Sequence, residues 1–439
     1  MPIKRMLIAN RGEIAVRIIR AAKAMDIHTI QAHSEADVDM LAVRLADEAV
    51  CIGPAQAAQS YLNIEAVVAA AKATKADAVH PGYGFMAENA DFVRALDAAG
   101  ITFVGPSADV IDRMGDKVAA RQAAKAAGVP VVPGSKGRLD TVEEAVSVAA
   151  ELGYPVMIKA AAGGGGKGIR IADTEADLRK MAPQAQAEAK ASFGDGGLYL
   201  ERAINSPRHI EVQIMGDGTD AVHYFERECS MQRRRQKVWE EAGASCLDQE
   251  TRSHLCDTAV ALAKAVNYVG AGTLEYLYDR ETKEFFFIEM NTRIQVEHPV
   301  TEMLTGTELV QEMIHVAGGG KLRKSQADIT RNGHAIEVRL NAEDPMMQFL
   351  PSPGKINTLR VPEGDGIRFD HFLYEGYQVP PFYDSLLGKL IVHAENRDAA
   401  IALMISALEG LEIGGIKTTK PLHLALAHDA SVRADDFHT

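Results

Sequence analysis

Glu275 and Glu289 fall in two strand-like runs, Leu274 to Asp279 and Phe285 to Met290, joined by the five turn-forming residues Arg-Glu-Thr-Lys-Glu. A symmetric turn would pair Asp279 with Phe285, Leu277 with Phe287 and Glu275 with Glu289. Side chains opposed in this way share a face with Cβ atoms about 4.5–5.5 Å apart, and two carboxylates so placed repel unless a cation stands between them. Mg²⁺ takes one or two carboxylates together with phosphate oxygens, so the expected set is Glu275, Glu289 and a nucleotide, with Asn291 close by. The alternative is a solvated hairpin edge whose facing glutamates are an accident of register. Downstream, the run NTRIQVEHP carries Arg293, Gln295 and Glu297 on one side if it is extended. A guanidinium and an amide can hold a small oxyanion while a neighbouring carboxylate removes its proton. A polar connector is the plainer reading, and Pro299 suits the first turn of the helix that follows.

Other candidates are dispersed. Arg339 lies in GHAIEVRLNAEDP, with Ile336, Val338 and Leu340 on one strand face and Glu337 and Arg339 on the other. It is either half of a cross-strand ion pair or a cation that stabilises a developing oxyanion. Lys159 ends the apolar run PVMIK, where a lysine is costly unless it meets an anion such as phosphate. Lys117 opens a helix, and Glu201 ends the strand LYL just ahead of Ile204. Gly163 to Gly166, Lys167 and Gly168 stand between two strands. A Walker loop needs Ser or Thr after the lysine and must open a helix, so a glycine flap that closes over nucleotide is the better reading.

These residues must be held by larger elements. Residues 3–110 alternate apolar strands with amphipathic helices, which implies a parallel sheet covered on both faces. The turn Asn10-Arg11-Gly12 lacks GxGxxG, so no dinucleotide site is expected. The expected divisions are an N-terminal α/β domain at 1–115, a linker helix at 116–134, a nucleotide lid at 135–203 and a C-terminal region at 204–439 mixing strands and helices. The chain has 439 residues, is 47% hydrophobic and carries a net charge of −13, which argues against broad nucleic-acid binding. A local basic patch, Arg233, Arg234, Arg235 and Lys237, remains for a nucleotide. No apolar run is long enough to span a membrane, and four scattered cysteines suit a reducing, cytoplasmic setting.

Taken together, the motifs IANRGEIAVRIIRAAK, HPGYGFMAENADF, MGDKVAAR, IKAAAGGGGKGIR, EMNTRIQVEHPVTEM, RLNAEDP, FLPSPGKI and PPFYDSLLGKLI resemble the ATP-grasp superfamily, and within it the biotin carboxylase family. The resemblance covers essentially the whole chain. It implies a doubly wound N-terminal domain, a mobile lid and a C-terminal antiparallel-sheet domain. It also implies ATP and Mg²⁺ (or Mn²⁺) as cofactors and a homodimer or larger carboxylase assembly. ATP would meet Lys117, Lys159, Gly164, Gly165, Gly166, Glu201, Ile204, His209, Gln232 and Arg235, together with Glu275 and Glu289. The metal would take Glu275 and Glu289 with Asn291. Bicarbonate would meet Arg293, Gln295 and the Val296 amide, with Glu297 as base. Lys237 would neutralise phosphate charge, Arg339 would stabilise the enolate of the biotin ureido group, and Tyr83 would border the biotin.

No Met-Lys-Met segment occurs, so the biotin is expected on a carrier protein or on another part of a longer polypeptide. A carboxyltransferase subunit would complete the enzyme, as in acetyl-CoA carboxylase of fatty acid biosynthesis. The chain departs from the family at Arg235, where histidine is usual, and at Gly243, where proline is more usual; it also carries its only tryptophan at Trp239. Rival readings are a different ATP-grasp ligase joining a carboxylate to an amine, or a silent assembly subunit.

Overall fold

The N-terminal alternation of apolar strand and amphipathic helix produces a five-stranded parallel sheet. In the computed structural model, which describes residues 2–160, 170–193 and 196–439, its strands are β1 (Arg5–Ile8), β2 (His28–Ser34), β3 (Glu48–Gly53), β4 (Ala78–His80) and β5 (Thr102–Phe103). They lie in the order β3-β2-β1-β4-β5, so the order reverses beside β1, where open α/β sheets place their ligand crevices. The helix Gly12–Lys23 follows β1 and buries Ile14, Ala15, Ile18, Ile19 and Ala22, the stripe that a 3.6-residue period predicts. The turn ahead of it serves as an anchor. Arg11 Nε donates to Asp37 at 2.8 Å, and Asn10 Nδ2 donates to the Pro81 and Tyr83 carbonyls at 2.6 and 2.7 Å.

Two compact units share the chain. One comprises Met1–Val129, Arg208–Tyr276 and Ile288–Thr439; the other comprises Pro130–Pro207 and Leu277–Phe287. The second unit centres on the antiparallel strands β6 (Val156–Ala160), β7 (Arg170–Ala172) and β8 (Leu198–Arg202), in the order β7-β6-β8. The helices Val142–Leu152 and Glu175–Phe193 contribute Ala145, Ala149, Leu178 and Ala182 to one apolar core with Val156, Ile158, Leu198 and Leu200. Thr141 and Glu144 close a capping box at the start of the first of these helices. The strands flanking the glycine run pair in register, Ile158 with Arg170, while the run itself, with Gly164, Gly165 and Gly166, lies outside the described residues.

The site is carried by an eight-stranded antiparallel sheet. Its strands are β9 (Arg208–Asp217), β10 (Ala221–Arg233), β11 (Gln236–Ala242), β12 (Val269–Tyr278), β13 (Phe285–Asn291) and β14 (His334–Asn341), with Leu386–Ala394 and Ile367–His371 at the far edge. The order is β13-β12-β9-β10-β11-β14, then Leu386–Ala394, then Ile367–His371. β12 and β13 form the expected hairpin, its turn closed by Asp279 N–H on the Glu284 carbonyl at 2.8 Å. Strand alternation gives the sheet two different faces. Trp239, Ile336, Val338, Leu340, Leu390 and Val392 build an apolar core on one of them. On the other, Ala242, Ala335 and Ile391 pack under Val300 and Leu304 of the helix His298–Thr305, which begins at Glu297 with Pro299 in its first turn.

Candidate active site

On the helix-covered face a row of polar residues crosses the sheet, one to three from each strand. β9 presents His209, Glu211 and Gln213 at alternate positions, and β10 places Arg227 directly opposite Glu211. β12 adds Thr273 and Glu275, β11 adds Lys237 and Glu240, and β14 adds Glu337 and Arg339. Lys237 reaches this face because the register with β10 shifts by one between Met231–Trp239 and Gln232–Lys237. A bulge of this kind re-aims the side chain.

Lys237 Nζ lies 2.5 Å from Glu211, 2.7 Å from Glu297 and 3.0 Å from Glu275. Arg227 is fully buried; it donates to Glu211 and, at 2.7 Å each, to Gln213 and Gln295. Gln295 in turn donates from Nε2 to Glu275 at 2.9 Å, so its amide is fixed at both ends. The Glu297 carboxylate meets a cation at each oxygen: Lys237 at Oε1 and Arg339 Nη2, 3.1 Å away, at Oε2. Burial pushes this carboxyl up, but the Lys237 ammonium and the Arg339 guanidinium outweigh it and hold the group below its ordinary value. His209 Nε2 is 3.2 Å from Glu275; burial opposes its charge, yet Glu211 and Glu275 raise it to about 9, a cationic imidazole at neutral pH.

The hairpin's carboxylates are unequal. Glu275 is buried and accepts from Asn291 Nδ2 at 3.0 Å, while Glu289 is exposed. Protein mass around the Glu289 carboxyl and the negative charge of Glu275 raise it all the same, and Lys117 at the exposed start of the helix Lys117–Ala126 works against the rise. Two hard carboxylate donors that repel one another could hold Mg²⁺.

Three family models cover the chain: the biotin carboxylase N-terminal domain over residues 2–111, the ATP binding domain of the carbamoyl-phosphate synthase L chain over 116–325, and the biotin carboxylase C-terminal domain over 337–439. A Bacillus subtilis protein, biotin carboxylase 1, is 52% identical over 438 residues, spanning 100% of this chain and 97% of its own. The chain belongs to the biotin carboxylase family. Its activity is accordingly that of an ATP-dependent ligase. A Campylobacter jejuni biotin carboxylase, solved as a β-γ-ATP complex, is 50% identical with a TM-score of 0.91 over 100% of this chain and 98% of its own. The biotin carboxylase domain of Hydrogenobacter thermophilus 2-oxoglutarate carboxylase, solved as a dimer with MgADP, ADP and bicarbonate, is 48% identical with a TM-score of 0.88 over 100% of this chain and 97% of its own.

Within this chain the run 291–299 is not extended, contrary to the alternation expected for Arg293, Gln295 and Glu297. It bends after Asn291 and turns at Val296 and Glu297 into the helix. The bend sends Arg293 aside, where Nε meets Glu88 at 2.8 Å and Nη2 meets Asn291 Oδ1 at 2.9 Å. The Val296 carbonyl accepts from the buried Lys389 ammonium at 2.6 Å. Tyr83 donates its hydroxyl to Glu13, close enough for the Arg339 charge to act on it. Gln232 donates to the Cys229 carbonyl at 3.0 Å, and Arg235 stands on the exposed β10–β11 turn. In the second unit Lys159 and Glu201 form an ion pair, and Ile204 is half-buried just past β8. Sequence reasoning missed Glu88, Glu211, Arg227 and Glu240. For Glu211, Arg227 and Glu240 the signal was a charged residue inside a buried strand, which requires a partner; Glu88, on an exposed turn, offered none.

Proposed function

We propose that this chain carboxylates carrier-bound biotin with MgATP and bicarbonate, and that the residues around Glu297 carry the reaction. The observation that bears most weight is the Glu297 carboxylate, ionised between Lys237 and Arg339 beside the fixed amide of Gln295. Arg293, Gln295 and the Val296 amide bind bicarbonate, and Glu297 takes its proton as an oxygen attacks the γ-phosphorus and ADP leaves. Lys237 offsets the phosphate charge that develops. The resulting carboxyphosphate divides into CO₂ and phosphate, and Arg339 holds the enolate form of the ureido group that attacks CO₂, with Tyr83 at its border. Glu275, Glu289 and Asn291 hold Mg²⁺, which supplies charge neutralisation between nucleotide phosphates. Lys117, Lys159, Glu201, Ile204, His209, Gln232, Arg235 and the glycines 164–166 bind ATP.

Partners follow from this chemistry: a biotin carboxyl carrier protein or domain, a carboxyltransferase, and a second copy of the chain in a homodimer. The Hydrogenobacter domain, solved as a dimer with MgADP and bicarbonate, supports this reading. The acceptor is chosen by the carboxyltransferase; acetyl-CoA, for fatty acid biosynthesis, is the first to test, ahead of propionyl-CoA and pyruvate. A cytoplasmic setting suits the free thiols of Cys51, Cys229, Cys246 and Cys256, and among the described residues no helix is long and apolar enough to cross a membrane.

The test is ADP release by the purified chain with MgATP, varying bicarbonate and free biotin independently. Release that needs both and falls by about 100-fold or more in Glu297→Ala is expected, the scale of a lost general base. Release indifferent to biotin would transfer the reading to another ATP-grasp ligase.

A further inference from the structure

β11 and β14 set Glu240 directly opposite Glu337, on the face that carries Lys237 and Arg339. Both side chains are fully buried. Glu240 Oε1 accepts from Arg339 Nε at 2.6 Å, but its Oε2 and both oxygens of Glu337 are buried without a hydrogen-bond partner. Ionised carboxylates only accept, so two of them facing one another in the interior can neither bond nor both keep their charge. One proton held in common makes one group a donor to the other and removes a charge.

Charges reach this pair from every neighbouring element. They are Lys237 on β11, Arg339 on β14, Glu297 at the helix start, Lys389 on Leu386–Ala394 and the Cys229 thiol on β10. Burial pushes Glu240 up to about 7 even though Arg339 pulls it down, and it pushes Glu337, opposed by Lys389, well above the usual carboxylate range. Arg339 is common to the pair and to the reacting base: Nε serves Glu240 and Nη2 serves Glu297.

We propose that Glu240 and Glu337 are positioning residues for biotin carboxylation, a buried carboxyl pair that holds one proton in common and divides the Arg339 guanidinium between itself and Glu297. The proposal rests on the roles given above to Glu297 and Arg339. With one negative charge on the pair, Arg339 is kept from neutralising Glu297 completely, and the base keeps the strength to take a proton. If the pair loses that charge, Arg339 turns wholly to Glu297 and weakens it as a base.

Two isosteric variants of the whole chain test this, each read by infrared difference spectroscopy against wild type and by the pH profile of biotin-dependent ADP release. Wild type at pH 8 should show a protonated carboxylic-acid carbonyl band that Glu337→Gln removes, while its kcat stays within about threefold because a neutral amide replaces a neutral acid. Glu240→Gln should lower kcat by about tenfold with the KM for MgATP nearly unmoved, and shift the acid limb of the kcat profile to lower pH. A spectrum unchanged in both variants, or a Glu240→Gln enzyme with wild-type kcat and acid limb, overturns the proposal. A wild-type chain with no biotin-dependent turnover refutes the proposed function instead, and the infrared arm then still decides whether the pair holds a proton.

Discussion

Glu275 and Glu289 are the same side chain in opposite electrical surroundings. Burial raises both, but the Lys237 ammonium and the His209 imidazole pull Glu275 far below the usual range, while the charge of Glu275 adds to the rise at Glu289. Glu289 therefore contributes repulsion to the metal-free protein, and its use lies in the cation it helps to hold. Glu289→Gln should leave the melting temperature of the nucleotide-free protein unchanged or slightly higher and raise the KM for MgATP by roughly 10-fold or more, the scale of a weakened metal site. An unchanged KM would remove Glu289 from the metal set. Lys237 has the reverse character, since its ammonium is the shared partner of Glu211, Glu275 and Glu297. Lys237→Met leaves those buried carboxylates short of a cation and should cost roughly 3–5 kcal/mol in urea unfolding, in addition to lost turnover. A loss below about 1 kcal/mol would mean that Arg227 and Arg339 suffice.

At the scale of elements, the β10–β11 hairpin turns on Arg234 and Arg235, at φ 49° and 69°, with Arg233 and Gln236 paired on either side. Two-residue turns of this hand favour Asn-Gly, because bulky residues at positive φ carry strain. Arg234→Asn with Arg235→Gly should stabilise the protein by about 1 kcal/mol, read as a higher urea midpoint at unchanged slope. Arg235→His tests the departure from the family's usual histidine: activity indistinguishable from wild type would deny Arg235 any tuned role. Gly243 stands at φ +93°, which proline, locked near −65°, cannot adopt, so the loop there has a course of its own. Much of this architecture was legible in the sequence. Local periodicity reported the parallel sheet, the β12–β13 hairpin, the two faces of β14 and the place of Pro299. The bend at Arg293 was not legible, because alternation shows where side chains go only once a segment is known to be extended. Glu211, Arg227 and the Glu240–Glu337 pair escaped for another reason. β9 lies beside β12 and β11 beside β14, so these partners meet through pairings between residues far apart in the chain, which no local pattern records.

For the molecule as a whole, two consecutive glutamates of β11, on opposite faces of the sheet, give stability opposite dependences on pH. Glu241 accepts from Trp239 Nε1 at 2.9 Å and from both Arg397 Nη2 and Nε at 2.8 Å, and it lies 2.7 Å from His334 Nε2, which ties β11, β14 and the helix Arg397–Gly410 together. Burial would raise its carboxyl, but His334 and Arg397 prevail and lower it from 4.5 to about 2. The unfolded chain thus binds this proton first, so Glu241 contributes stability above about pH 4.5 that is lost as the pH falls through about 2, roughly 3 kcal/mol in all. Glu240 has the opposite sign: raised to about 7, it contributes stability below about pH 4.5 that is lost as the pH rises through 7. Denaturant unfolding followed from pH 2 to 9 should therefore show a dome whose acid side flattens in Glu241→Gln and whose alkaline side flattens in Glu240→Gln. Glu241→Gln should also cost roughly 1–3 kcal/mol at pH 7, because the half-buried Arg397 then loses its carboxylate partner. An acid limb equally steep with and without Glu241 would show that other carboxylates set the acid stability and that this junction is only packing.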